Sequence, residues 1–265
     1  MTEPRTIKAT ERYPAEMTRI ASHRGGTLEF GDSTPQGFAA TAAMALEEVE
    51  FDLHPTAGGA IVVHHDATLD RTTDSSGAIA ALSEAEVRAA TINYGAGGHP
   101  LTLAELCDLY RPGTVNFRCE IKPDAEGRPY SDFVPRVIAA LRELGMLERT
   151  TFSSFLVEVL DELAANTTRP RLWLVSPPVL RQLGAAASIA VAKAHGIPEI
   201  GVHIDTAEDE LKAAVQAAGL DFGCWGAHSA GQISKALTLG VKIFTTDRPS
   251  LAIALRDRWL KENAA

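Results

Sequence analysis

The chain has 265 residues, 45% hydrophobic and 22% charged, the balance of a packed globular protein rather than a disordered one. Its 25 basic against 34 acidic side chains leave a net charge of −9, which excludes a nucleic-acid binder because a phosphate backbone needs a basic face. No apolar run nears the roughly 20 residues that span a bilayer, so no stable membrane insertion is expected. The stretch from Met1 to Met17 lacks the apolar core of a secretory signal. Three scattered cysteines, Cys107, Cys119 and Cys224, lack metal-ligand spacing and fit a reducing compartment, so a cytoplasmic protein is expected.

Short β-rich runs alternate with Ala- and Leu-rich segments, the pattern of repeated βα units. Strands are expected near 18–23, 48–53, 114–121, 150–154, 170–175, 199–204, 221–225 and 241–245. Helices are expected near 34–47, 132–145, 155–165, 178–195, 206–218, 230–239 and 248–262. Pro135 falls in a first turn, Gly145, Gly219 and Gly240 close helices, and Thr206 with Asp209 suggests an N-cap. Eight strands with helices between them predict a closed (β/α)8 TIM barrel, a fold of about 250 residues. The stretch 66–112 is too long for a βα loop and holds helical patches at 83–89 and 103–110. It is predicted to be a small insertion after strand 2, within one barrel domain covering 1–265, with Gly95, Gly97 and Gly98 in a flexible loop. An open doubly wound sheet fits less well, since no Gly-x-Gly-x-x-Gly follows the first strand.

In a parallel barrel the site is built at the C-terminal strand ends. Strand 1 ends in His23-Arg24-Gly25-Gly26, strand 2 in Glu50-Phe51-Asp52, its continuation in His64-His65-Asp66, and strand 3 in Glu120-Ile121-Lys122. Residues two apart in a strand share a face, so Glu50 pairs with Asp52 and Glu120 with Lys122. Three carboxylates aimed inward repel one another unless a cation sits among them, and oxygen ligands suit Mg²⁺ or Ca²⁺. Arg24 and Lys122 add charge to hold an anion. His23 and His65 can supply acid and base near neutral pH, while alternation turns His64 away. Together these describe phosphoester cleavage.

The ordered set His23-Arg24-Gly25, Glu50-Phe51-Asp52, Val62-Val63-His64-His65-Asp66, Leu69-Asp70-Arg71-Thr72-Thr73, Gly77, Glu120-Ile121-Lys122, Trp225 and Thr246-Asp247-Arg248-Pro249 resembles the glycerophosphodiester phosphodiesterase family. The resemblance implies a (β/α)8 barrel with an insertion after strand 2 and one divalent cation, Mg²⁺ or Ca²⁺, on Glu50, Asp52 and Glu120. It implies His23 and His65 as the acid/base pair and Arg24 and Lys122 as phosphate holders. The implied reaction splits a small glycerophosphodiester into sn-glycerol 3-phosphate and an alcohol. Trp225 is expected to wall the alcohol group.

Two positions depart from the family. Asp32, in Asp32-Ser33-Thr34, stands where the family has the Glu of Glu-Asn-Thr. It is expected at the rim, contacting substrate or a ligand through a bridging water, outside the metal's own ligands. His228 stands three residues after Trp225, where the family often has Asn, and is a candidate for contact with the leaving group. Three alternatives accompany this reading: a phospholipase D-like enzyme acting on lysophospholipids, a catalytically silent phosphodiester-binding barrel, and a sugar-phosphate aldolase or isomerase using Lys122. The second is disfavoured by the intact histidines and carboxylates, and the third because a lysine among carboxylates stays protonated.

Overall fold

The computed structural model describes residues 17–263. The strands are β1 (Arg19–His23), β2 (Glu48–Pro55), the short β3 (Ile61–Val63), β4 (Asn116–Ile121), β5 (Thr150–Ser154), β6 (Arg171–Val175), β7 (Glu199–His203), β8 (Asp221–Trp225) and β9 (Ile243–Thr246). All but β3 run parallel, and β1 pairs with both β2 and β9, closing an eight-stranded TIM barrel. The helices are α1 (Thr27–Phe30), α2 (Pro35–Ala42), α3 (Glu84–Ala89), α4 (Leu103–Tyr110), α5 (Phe133–Glu143), α6 (Val157–Asn166), α7 (Pro177–Ala194), α8 (Asp209–Ala217), α9 (Ala230–Leu239) and α10 (Pro249–Asn263). Apolar spacing explains the outer ring. In α5, Phe133, Val134, Val137, Ile138 and Leu141 recur at helical intervals and are all buried. Caps set several helix starts: Ser229 accepts from the Gln232 amide and Gln232 reciprocates, opening α9.

Three expectations are corrected. Helix α2 stops at Ala42 rather than 47, because the chain must turn to deliver Ala45 O and the Glu47 carboxylate to the fully buried Arg256. Thr206 caps nothing: its hydroxyl donates back to His203 O, and α8 begins after Glu208. The run Ile61–Val63 is not a continuation of strand 2 but an antiparallel return, with Leu53 opposite Val63. β2 overshoots the barrel, turns at 56–60 and comes back, so that the His64 amide reaches Asp52 O at 3.1 Å. That reversal is what brings His65 level with the barrel mouth.

Alternation along β2 and β4 divides the barrel. Val49, Phe51, Phe117 and Cys119 join the apolar layer, leaving Glu48, Glu50, Asp52, Arg118 and Glu120 on the other face. Arg118 donates to Glu48 (2.7 Å) and to Glu199 (3.3 Å), and Arg19 and Lys242 pair with the same two acids, so every charge in this floor has a partner.

His54, next on that face, lies past the rim and is fully buried. Its Nε2–H donates to His65 O at 3.1 Å and its Nδ1 accepts from the Tyr130 hydroxyl at 2.9 Å, satisfying a neutral ring. Burial lowers its pKa from 6.5 to about 4. The unfolded chain therefore binds a proton between these values that the folded chain refuses, and stability falls as the pH drops through that window. The full loss is about 3 kcal/mol, from about 1.4 kcal/mol per pKa unit. Urea midpoints of the wild type and His54→Gln, compared from pH 7 to pH 4, are expected to show a shallower acid slope in the variant. Parallel slopes would remove His54 as the cause.

Candidate active site

The turn after β1 sets the first two functional side chains. Arg24, Gly25 and Gly26 have φ of +49°, +75° and +86°. A non-glycine residue in that region costs about 1–2 kcal/mol, and here Arg24 is held there by its amide bonding Glu50 O at 2.9 Å and its carbonyl accepting from Ser33. A Cβ on Gly25 would meet Phe38 N at 2.9 Å, so the residue after Arg24 has no room for a side chain. The loop at 94–98 docks on the same region. Gly95 sits so close that a Cβ would lie 1.8 Å from Phe30 O, which makes these glycines a close-approach device rather than the free flexible loop expected.

A cavity of about 260 Å³ opens at the C-terminal strand ends. The first strands supply its charged lining, His23, Arg24, Glu50, His65, Glu120 and Lys122. The later ones supply Phe155, Leu174, His203, Trp225 and His228. Trp225 packs edge-on against His203 (centroids 4.7 Å apart) and Phe155 (5.7 Å).

Glu50, Asp52 and Glu120 are buried together, with one oxygen of each within 4.8 Å of the others. Arg24 Nε lies 3.2 Å from Asp52, and Lys122 Nζ lies 2.8 Å from Glu120 and 3.5 Å from Asp52. Burial pushes the Glu50 carboxyl well up, and Asp52 and Glu120 push it further. For Asp52 burial acts the same way, but Lys122, His65 and Arg24 outweigh it and hold the carboxyl well below the usual range. Burial disfavours the charge on Lys122, yet Glu120 and Asp52 overcome it and raise its pKa, so Lys122 is a fixed cation.

The two imidazoles are mounted alike. His23 Nδ1–H donates to Asp247 Oδ1 at 2.5 Å, leaving Nε2 3.8 Å from Glu50 Oε2. His65 Nδ1–H donates to Asp66 Oδ1 at 2.5 Å, and its Nε2 accepts from Lys122 Nζ at 3.3 Å. Each ring thus has one nitrogen anchored on a carboxylate and the other beside the carboxylate–cation cluster, the mounting a proton carrier needs. His64 is buried away from the site, donating to Asp66 O and accepting from Thr72.

Of the residues singled out in sequence, the fold gathers His23, Arg24, Glu50, His65, Glu120, Lys122 and Trp225 around the cavity, with Asp52 just beneath. Asp32 is not among them. It is buried below the rim, where Arg24 reaches it at 3.1 Å and Arg71 at 3.4 Å. Sequence reasoning gave no role to Asp66 or Asp247, although both lie inside quoted motifs and Asp247 directly follows β9. Arg71 also grips Asp66, so it braces the His65 mount.

The sequence profile of the glycerophosphoryl diester phosphodiesterase family matches residues 23–251. The chain belongs to that family. A solved structure assigned as a glycerophosphoryl diester phosphodiesterase from Agrobacterium tumefaciens is 71% identical with a TM-score of 0.92, covering 92% of this chain and 99% of that one. A glycerophosphodiester phosphodiesterase of Caldanaerobacter subterraneus is 29% identical over 143 residues, 52% of this chain and 58% of that relative. The chain thus matches little more than half the length of that curated relative. An Oleispira antarctica phosphodiesterase, solved in complex with the product sn-glycerol 3-phosphate, shares the fold at 19% identity, with a TM-score of 0.73 over 95% of this chain and all of that one.

Members of the family generally depend on a divalent metal. The residues present fit one. Glu50 Oε2, both Asp52 oxygens and Glu120 Oε1 are buried, and apart from the ion pairs with Arg24 and Lys122 they have no hydrogen-bond donor beside them. Three buried carboxylates facing only two fixed cations leave negative charge uncompensated, and an all-oxygen donor set suits a hard cation.

Asp32→Ala removes the counter-charge that aims Arg24. It is expected to lower activity by about 10–100-fold, the scale of a lost supporting partner, with metal affinity retained. Calorimetric metal titration beside steady-state kinetics checks this. Loss of metal as complete as in Glu50→Ala would make Asp32 a direct ligand.

Proposed function

We propose that this chain hydrolyses small water-soluble glycerophosphodiesters to sn-glycerol 3-phosphate and an alcohol. The observation that carries the reading is the paired mount of His23 on Asp247 and His65 on Asp66, with both free nitrogens beside one carboxylate–cation cluster. Glu50, Asp52 and Glu120 would hold one divalent cation, Mg²⁺ or Ca²⁺, which supplies positive charge to the phosphoryl oxygens. Arg24 and Lys122 grip the same anion from the protein side. One imidazole takes the proton of the attacking oxygen and the other gives one to the departing alcohol. Trp225 walls the organic part of the substrate. A cytoplasmic setting belongs to the same proposal, supported by three buried, unpaired cysteines. No helix among the described residues is long and apolar enough to cross a membrane.

Lysophospholipids are the second reading, and one observation favours them. Leu28 and Tyr94 are large, exposed apolar side chains on segments that meet where Gly31 packs against Gly95. A coupled assay for glycerol 3-phosphate, run with Mg²⁺ or Ca²⁺ on glycerophosphocholine, glycerophosphoethanolamine, glycerophosphoglycerol and a lysolipid, decides between them. Release from the first three is expected to dominate. Absence of glycerol 3-phosphate from all three would overturn the proposal.

A further inference from the structure

His228 stands three residues after Trp225, and the fold builds a fixed mount for it. Gly226 starts the turn after β8 with φ of +81°, and the Ala227 amide is tied to Thr245 O at 3.1 Å. The His228 amide is shared between Gly226 O (3.1 Å) and the Gln232 side-chain oxygen (3.2 Å). Its ring, about one-third exposed, lines the cavity with its centroid 5.6 Å from that of His23.

The hydrogen on that ring is assigned by its neighbour. The Asp247 backbone N–H donates to His228 Nδ1 at 3.0 Å. Asp247 Oδ2 also lies 3.3 Å from the same nitrogen, which on its own would favour a proton there. The amide cannot give up its hydrogen, however, so Nδ1 is the acceptor and the ring hydrogen sits on Nε2. Burial lowers the His228 pKa despite the nearby Asp247, so the ring stays neutral at pH 7. His228 Nε2 has no protein partner among the described hydrogen bonds. Asp247 therefore does two jobs. Its carboxylate fixes His23 with a free Nε2 acceptor, and its amide fixes His228 with a free Nε2–H donor.

A donor and an acceptor side by side match one kind of group, a hydroxyl oxygen that accepts from one and donates to the other. We propose that His228 Nε2–H hydrogen-bonds the hydroxyl oxygen whose proton His23 Nε2 removes, aiming that O–H at His23. The inference rests on the phosphodiesterase reading. The hydroxyl has two possible sources, the 2-hydroxyl of the substrate's glycerol, which would attack phosphorus and expel the alcohol to leave a cyclic phosphate, or an attacking water, which would give glycerol 3-phosphate directly. In both, the O–H proton passes to His23, the new O–P bond forms and the P–O bond to the alcohol breaks.

The test compares wild type, His228→Ala and His228→Asn on glycerophosphocholine and on its analogue lacking the 2-hydroxyl. His228→Ala is expected to lower kcat by about 10–100-fold with KM changed far less, since one oriented donor at the reacting oxygen is lost. His228→Asn, which keeps an N–H donor, is expected to recover most of it. A penalty on glycerophosphocholine with no wild-type turnover of the analogue identifies the glycerol oxygen, and a penalty on both substrates identifies water. Wild-type turnover of glycerophosphocholine with His228→Ala within threefold of it overturns the assignment alone, whereas a wild type inactive on both substrates overturns the phosphodiesterase reading and this inference with it. Imidazole ¹⁵N NMR gives an independent check, with the His228 signals assigned by their loss in His228→Asn. The Nε2–H tautomer is expected at pH 7.5, and an Nδ1–H ring or an imidazolium overturns the proposal.

Discussion

His23→Ala and His65→Ala are each expected to cut kcat by about 10²–10⁴-fold, the worth of one positioned acid or base. Metal affinity and folding should be retained in both. Neither ring belongs to the apolar core, and each borders the cavity, so truncation enlarges a solvent space rather than opening a void in packed structure. Removing His23 leaves Asp247 hydrogen-bonded to nothing on that side, and removing His65 leaves Asp66 with Arg71. The His23 variant should therefore be the less stable of the two, by a margin a thermal melt can read. Steady-state kinetics on folded, metal-loaded protein decides the catalytic part. Activity within threefold of wild type for either variant removes that residue from the mechanism.

The barrel was legible because its rules are local. Each strand carries a short β-rich run, each outer helix an apolar stripe, and the two-residue spacing of Glu50 with Asp52 puts both on one face whatever the rest of the fold does. The direction of β3 was not local. Ile61-Val62-Val63 contains nothing that says which way it runs; the turn at 56–60, closed by the Thr56 amide on Ala60 O, reverses it. The sequence-level placement of His65 was therefore reached through a wrong topology. The ion-pair partners of Asp32 were not legible either. Its surroundings are set by Arg71, 39 residues away, whose side chain bridges it to Asp66. Asp247 was within reach, since the first residue past a barrel strand is a site position by the same rule that selected His23. Its two partners, at separations of 224 and 19 residues, become visible only once the barrel closes.

Chelation is expected to silence the protein, and Mg²⁺ or Ca²⁺ to restore it. Three buried carboxylates face two fixed cations, Arg24 and Lys122, so the cluster carries one more negative charge than positive when all are ionised. Burial and its two acidic neighbours raise the Glu50 pKa, so of the three carboxyls Glu50 is the one that holds a proton to higher pH without metal. A divalent cation held by Glu50 would reverse that preference, because binding would then expel the proton. Calorimetry in buffers of different ionisation enthalpy should detect proton release that grows as the pH is lowered, up to about one per ion. Glu50→Gln should abolish the release and weaken binding sharply, since an amide offers a neutral oxygen. Asp32→Ala, whose carboxylate lies outside the cluster, should leave the release unchanged. Full turnover in excess chelator, with no metal found by elemental analysis, would sink the carboxylate site. Tight binding without any proton release would show instead that Glu50 is already ionised in the metal-free protein.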